Sequence, residues 1–253
     1  MNGFTKTQSQ LVKTRFDKVL DSQAIIRKCM PEEEVDESTR SIVLESINVD
    51  DTILKKSDME VFEIPIKPSK KTAQIFDLNC KITRQTRYVK SSLGKVSGIL
   101  SKVVAKSENF YGVTELASGG TANTGTTAWT DAIPLRTIVK EIQVEVEALK
   151  DHTEAAINMI VPSAKKVFLT APINDYGHNP KQFLPDIANI YTSTAITDKA
   201  ILVPFDSTIC SLARATKLKV APEVFEQTKT KLIATEAIGP VIDEAKGVRV
   251  MSI

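Results

Sequence analysis

Residues 112–129 read GVTELASGGTANTGTTAW, a run of glycine, threonine, serine and alanine that stops at the chain's only tryptophan. Two roles suit such a run: a loop that cradles a phosphate, or a connection between two larger pieces. A phosphate loop needs two glycines five residues apart, then lysine and a hydroxyl residue, so that backbone amides and an ammonium converge at a helix N-terminus. Gly119, Gly120 and Gly125 are followed by no lysine before Trp129, and the dinucleotide pattern GxGxxG is absent too. The run reads as a connector, with small residues giving backbone freedom where elements pass closely.

Helical stripes lie on both sides of it. Upstream, residues 88–106 place Leu93, Val96, Leu100, Val103 and Val104 on one face. Gly94 and Gly98 inside this helix cost about 1 kcal/mol each relative to alanine. Downstream, Thr130 or Asp131 can cap a helix whose stripe is Leu135, Ile138, Val139, Ile142, Val146 and Leu149. A third stripe, Leu11, Val12, Phe16, Val19, Leu20 and Ile26, occupies residues 6–29 and ends at Pro31. It describes an amphipathic arm whose apolar face needs a partner.

Residues 59–82 alternate instead. Phe62, Ile64 and Ile66 share one face of a strand, and Phe76, Leu78, Cys80 and Ile82 share one face of another. KPSKK between them reads as the turn, giving a β-hairpin with a cationic tip of Lys67, Lys70 and Lys71. A two-stranded hairpin is marginal alone in water, so this one is expected to lie against its own chain or a neighbour. Further on, residues 166–170 and 200–204 read as strands, 182–191 and 207–217 as helices, and VRVMSI as a closing strand. The order gives an α+β class.

With 253 residues, 42% hydrophobic and 25% charged, the chain has ample sequence for a core and is wrong for a disordered protein. Its apolar runs are too short to span a bilayer, and MNGFTKTQSQLVK lacks the apolar core of a secretory signal. The expectation is a product of the cytoplasm with no membrane partner. The net charge of +2 hides two blocks. From Pro31 to Glu63, eleven acids oppose Arg40, Lys55 and Lys56; from Lys67 to Lys106, ten cations, among them Lys95, Lys102 and Lys106, face only Asp77. Such blocks are solvated surface, pair between copies of the chain, or turn toward nucleic acid.

Catalytic signatures are thin. Cys29, Cys80 and Cys210 are scattered, which suits reduced thiols rather than a disulfide framework or a metal knuckle. His152 and His178 are the only histidines, His178 lies in the turn-like DYGHNP, and Cys210 is expected on a buried helix face. No nucleophile elbow and no HExxH pair occurs, and EEEVDE lacks calcium-loop spacing. The sequence thus names no catalytic, cofactor-binding or metal-binding residue, and an enzyme is the last reading.

The element order resembles the major capsid proteins of tailed phages and related viruses, the Hong Kong 97-type coat fold. The local residues that carry the likeness run from Glu108 through ENFYGVTELASGG to Trp129, with EVFEQTKTKLIATEAIGPVIDEAKGVRVMSI at the C-terminus. The resemblance implies an N-terminal arm at 1–50, an E-loop hairpin at 51–83, and a spine helix with connector and second long helix in a peripheral domain at 84–150. A mainly axial domain would follow at 151–222, with C-terminal strands returning to the peripheral domain at 223–253.

It also implies a function: self-assembly into hexamers and pentamers of an icosahedral shell that encloses double-stranded DNA, without a cofactor. Arm and hairpin would cross neighbouring subunits, making Phe16, Leu20, Phe62, Ile64, Ile66, Lys67, Lys70, Lys71, Phe76 and Leu78 intersubunit contacts. Lys95, Lys102 and Lys106 would face DNA or a neighbour. The start at Met1 leaves any scaffolding protein as a separate chain, alongside portal and decoration proteins. The same fold serves encapsulin-type nanocompartments, and a basic nucleic-acid-binding protein is the reading from another class. For the latter, Phe76 and Tyr88 are few aromatics for a stacking platform.

Overall fold

The computed structural model describes residues 6–39, 41–47, 66–85, 93–123, 127–173, 177–226 and 229–253. The arm is helical as its stripe predicts, in two pieces: α1 (Lys6–Gln23) and the short α2 (Ile25–Cys29). Strand β1 (Glu32–Glu34) follows, then β2 (Ser41–Ile47) and β3 (Ile66–Gln74). Here the predicted hairpin is corrected. KPSKK lies within β3, which pairs antiparallel with β2, so Lys67, Lys70 and Lys71 belong to a strand and not to a turn, while Ile66 is in a strand as expected. Only Ile75 separates β3 from β4 (Phe76–Gln85), and β4 pairs with another strand altogether. Phe62 and Ile64 lie outside the described residues.

The long helix is longer than its stripe suggests. α3 runs from Leu93 to Gly119, so the first half of the quoted run is helix, and the connector begins only at Gly120. The reason is packing. A Cβ on Gly112 would sit 2.5 Å from Cγ1 of Ile26, so the missing side chain lets α2 lie directly on α3. At Gly120, where the helix ends, a Cβ would meet Val248 at 2.8 Å, including its carbonyl oxygen at 2.9 Å. That contact seats β5 (Thr121–Asn123) beside the C-terminal strand.

After the connector come α4 (Leu135–Lys150), β6 (Ile157–Pro162), one turn of helix α5 (Val167–Thr170), β7 (Ile187–Ser193) and β8 (Lys199–Pro204). A long antiparallel pair, β9 (Cys210–Glu226) and β10 (Lys229–Ile242), precedes β11 (Arg249–Ser252). Three expectations fail here: residues 166–170 are helical, 187–193 form a strand, and 210–217 begin β9 instead of a helix. The apolar runs in these stretches are short enough that periodicity does not separate strand from buried helix. Pro134 takes the cap position of α4 in place of Thr130 or Asp131, with no side-chain cap.

The described strands form a four-stranded sheet, β1-β9-β10-β4, a five-stranded sheet, β5-β11-β8-β6-β7, and the β2–β3 pair. One face of the four-stranded sheet receives α1 and α3: Phe16, Leu20, Leu100 and Val104 pack with Leu232 and Ala234. Its other face carries Ala213, Ala215, Ala237 and Val241 against Ile42 and Ala73 of the β2–β3 pair. The five-stranded sheet is covered by α4, whose Ile138, Ile142 and Leu149 meet Met159, Leu202 and Met251. This helix therefore belongs with the second sheet, although the sequence placed it in the same unit as α3. Trp129, fully buried, ends the connector inside that second core, edge-on to Phe168. Glu141 and Glu145 of α4 accept hydrogen bonds from Thr127 and Asn123, so the threonine-rich connector is pinned along the helix.

The glycine contact gives a direct test. Gly112→Ala is expected to cost about 1–3 kcal/mol in denaturant unfolding, the range for overpacking a filled core. Ile26→Ala in the same chain should offset part of that loss. A neutral Gly112→Ala would refute the close approach of α2 to α3.

Candidate functional site

Arg27 stands where five elements meet. Its guanidinium, on α2, donates through Nε at 2.8 Å and Nη2 at 2.9 Å to the two carboxylate oxygens of Glu108 on α3. Nη2 also reaches both oxygens of Glu236 on β10, at 2.7 and 2.9 Å. Glu32 of β1 lies 3.6 Å from Nη1 and 2.6 Å from Nη2 of Arg214 on β9, which is itself 3.4 Å from Glu236. Both Glu108 and Glu236 side chains are fully shielded from solvent, and Arg27 is 13% exposed. Two fully buried carboxylates thus share Arg27, with Arg214 and the exposed Glu32 at the rim of the junction. Burial opposes the charge on Arg27, and the carboxylates of Glu108, Glu236 and Glu32 outweigh it, holding the guanidinium charged. Glu236 moves the other way: burial first, then the charge of Glu108, raises its carboxyl to about 8 against the pull of Arg27 and Arg214.

Sequence reasoning did not single out this junction. One signal was present: Glu108 falls four residues after Val104 and four before Gly112, on the buried stripe of α3, where a carboxylate needs a partner. Its partners are 81 and 128 residues away along the chain, beyond the reach of any local pattern.

Four of the predicted contact residues meet side chains of their own chain. Phe16 and Leu20 are buried in their own chain against α3, each contributing about 1.5–3 kcal/mol, and Ser101 donates a hydrogen bond to the carbonyl of Phe16 at 2.8 Å. Leu78 is buried beneath α2 and α3, and Phe76 stacks on Tyr111 with ring centroids 4.9 Å apart. These four side chains are occupied within the subunit. The described part of the acidic block is matched at home as well. Glu34 and Glu37 approach Lys217 and Lys219 of β9, at 2.7 and 3.8 Å, and these exposed pairs add little energy.

The outer face of α3 remains open. Ile99, Val103 and Phe110 are about half exposed and follow helical spacing, bordered by Lys95, Lys102 and Lys106. Those three lysines have no ion-pair partner among the described residues. Toward the end of this face, Gln23, Lys102, Lys106, Phe110 and Thr194 line an open cavity of about 450 Å3.

Enzyme-like groups are engaged structurally. His152 Nδ1 meets Glu244 at 2.7 Å, and His178 lies edge-on to Phe183 beside Gly177, whose φ of 77° makes a left-handed turn. Cys210 sits on strand β9, not a helix, where burial pushes its thiol up to about 12, and Cys29 is raised by burial too. Among the described residues no cluster of metal-ligating side chains occurs, and no helix is long and apolar enough to cross a membrane.

No protein-family model matches the chain, and no curated protein matches it. Solved structures do. A virus-like particle from Pyrococcus furiosus aligns with a TM-score of 0.75 at 13% identity, over 96% of this chain and 98% of that one. The capsid of a native GTA particle aligns at 0.64 and 10% identity, over 92% and 90%. The capsid of the Myoviridae phage XM1 aligns at 0.54 and 12% identity, over 91% of each chain. The chain has the α+β Hong Kong 97-type fold.

Replacing Arg27 with methionine leaves Glu108 and Glu236 buried without their counter-ion, and is expected to cost about 3–5 kcal/mol in chemical denaturation. Adding Glu108→Gln and Glu236→Gln should recover at least half of it. A loss below about 1 kcal/mol for the single variant would show that the junction is incidental.

Proposed function

We propose that this chain is the major capsid protein of a tailed phage or related virus, assembling as hexamers and pentamers of an icosahedral shell around double-stranded DNA. The observation that carries the reading is the likeness to particle and capsid proteins over nine-tenths or more of both chains. In this reading the β2–β3 pair is the root of the E-loop, the four-stranded sheet with α3 the peripheral domain, and the five-stranded sheet with α4 the axial domain. The protein then works in the virion, made in the host cytoplasm with a separate scaffolding protein, a portal and decoration proteins. Its role is structural rather than enzymatic.

The outer face of α3 supports a tiled subunit. Ile99, Val103 and Phe110 form an apolar stripe that a neighbour covers, while Lys95, Lys102 and Lys106 border it and are available to acidic side chains or phosphates. Phosphate contacts of this kind are independent of sequence and weaken steeply with salt. A second reading, a nanocompartment shell without a genome, is favoured by the virus-like particle having the higher TM-score of those named.

Electron microscopy of the purified protein should show uniform closed particles. Phe110→Glu together with Ile99→Glu should leave far-UV circular dichroism and unfolding within about 0.5 kcal/mol of wild type, as surface changes do, while abolishing particles. Particles that form normally in this double variant would remove the α3 face from the interface, and a wild-type monomer at every salt concentration would end the shell reading. Nuclease-resistant DNA inside the particles separates the virus from the nanocompartment.

A further inference from the structure

The junction at Arg27 carries more carboxylates than guanidiniums, and it is the point at which the arm's second helix is fixed to the rest of the subunit. Every charged group facing Glu236 is accounted for: Arg27 from α2, Glu108 from α3, Arg214 from β9 and, through the two arginines, Glu32 from β1. On β4 the residue directly opposite Glu236 is the uncharged Leu78. Glu108 and Glu236, both fully shielded, share the one guanidinium of Arg27, while Arg214 is paired with the exposed Glu32 at 2.6 Å; with both buried carboxylates ionised, Arg27 leaves one negative charge unbalanced. One proton on Glu236 balances it.

We propose that this junction is a proton-operated latch on α2: a neutral Glu236 keeps Ile25–Met30 seated on α3 and β10, and loss of that proton opens the segment. When α2 lifts, Arg27 leaves and water reaches Glu236. Burial raises this carboxyl more than Arg27 lowers it, so the opened site releases the proton more readily than the closed one. Closing therefore takes up a proton. The sign follows from linkage. The carboxyl's folded value of about 8 lies above its ordinary 4.5, so its contribution is fully present below 4.5 and is lost as pH rises through about 8. α1 does not share this dependence, because Phe16 and Leu20 hold it by apolar burial. The opening is local: it frees α2 and the entry to β1, whose pairing with β9 starts at Glu32.

The peptide bond after Arg27 reports the motion, since a protease reaches that side chain only when α2 lifts. Trypsin cleavage at Arg27–Lys28, read by mass spectrometry between pH 6 and 9 and normalised to an unstructured peptide, should accelerate by up to about tenfold per pH unit below 8 and level off above it. In Glu236→Gln, which keeps a neutral group of the same shape, the normalised rate should be flat. Cleavage after Lys199, inside the five-stranded sheet, should stay slow throughout, which separates the latch from global unfolding. Glu108→Gln provides a second variant: without the neighbouring charge the levelling-off should move to a pH below 8. Equal slopes in wild type and Glu236→Gln, faster cleavage at the acidic end, or an unmoved plateau in Glu108→Gln would each overturn the latch.

Discussion

The side chain of Arg27 binds two fully shielded carboxylates, one from helix α3 and one from strand β10. Without it, Glu108 and Glu236 would be like charges in a site closed to water, and α3 would not lie flat on β10 at that point. The rest of the subunit depends on how α3 lies. Its first half packs with α1 on the four-stranded sheet through Leu100 and Val104; its second half, through Val113 and Leu116, meets Ile160, Ile201 and Val250 of the five-stranded sheet. One helix therefore belongs to two cores. The ion knot lies where it passes from one to the other.

That arrangement explains why the arm is not the free limb that an amphipathic stripe suggests. α1 and α2 complete the face of α3 that the sheets leave uncovered, and Gly112 removes the side chain that would keep Ile26 away. The subunit thus consumes its own arm helix and leaves outward a different surface, the strip of Ile99, Val103 and Phe110 with its lysine border. In the proposed shell, assembly covers that strip and the edges of the sheets. The fold itself is already closed.

Much of this was legible in the sequence wherever a period ran long enough. The stripes of α1, α3 and α4 are each three or more turns long, and all three helices occur, because an apolar face at helical spacing has one economical way to be buried. The strand read at 200–204, continuously apolar, was legible for the complementary reason: a strand buried on both faces has no alternation to show. KPSKK misled because proline and serine are turn chemistry, yet β3 is an outer strand of a two-stranded unit, where proline's missing donor costs little. DSTICSLAR misled because a short apolar run does not say whether its period is 2 or 3.6. The buried junction was invisible for a deeper reason. Arg27 and Glu236 each look like an ordinary surface charge until the fold brings them together, and Glu108 alone is marked by its place on the buried stripe of α3.

The account stands on the arm helices belonging to the subunit that carries them. A high-resolution electron-microscopy map of the assembled particle tests this most directly, by tracing the chain from α1 through α2 into β1. The account predicts continuous density with Phe16 and Arg27 seated on α3 of the same chain and a neighbour's surface over Ile99, Val103 and Phe110. Density showing α1 and α2 crossing to the α3 of an adjacent subunit, with Glu108 bound by that subunit's arginine, would contradict it.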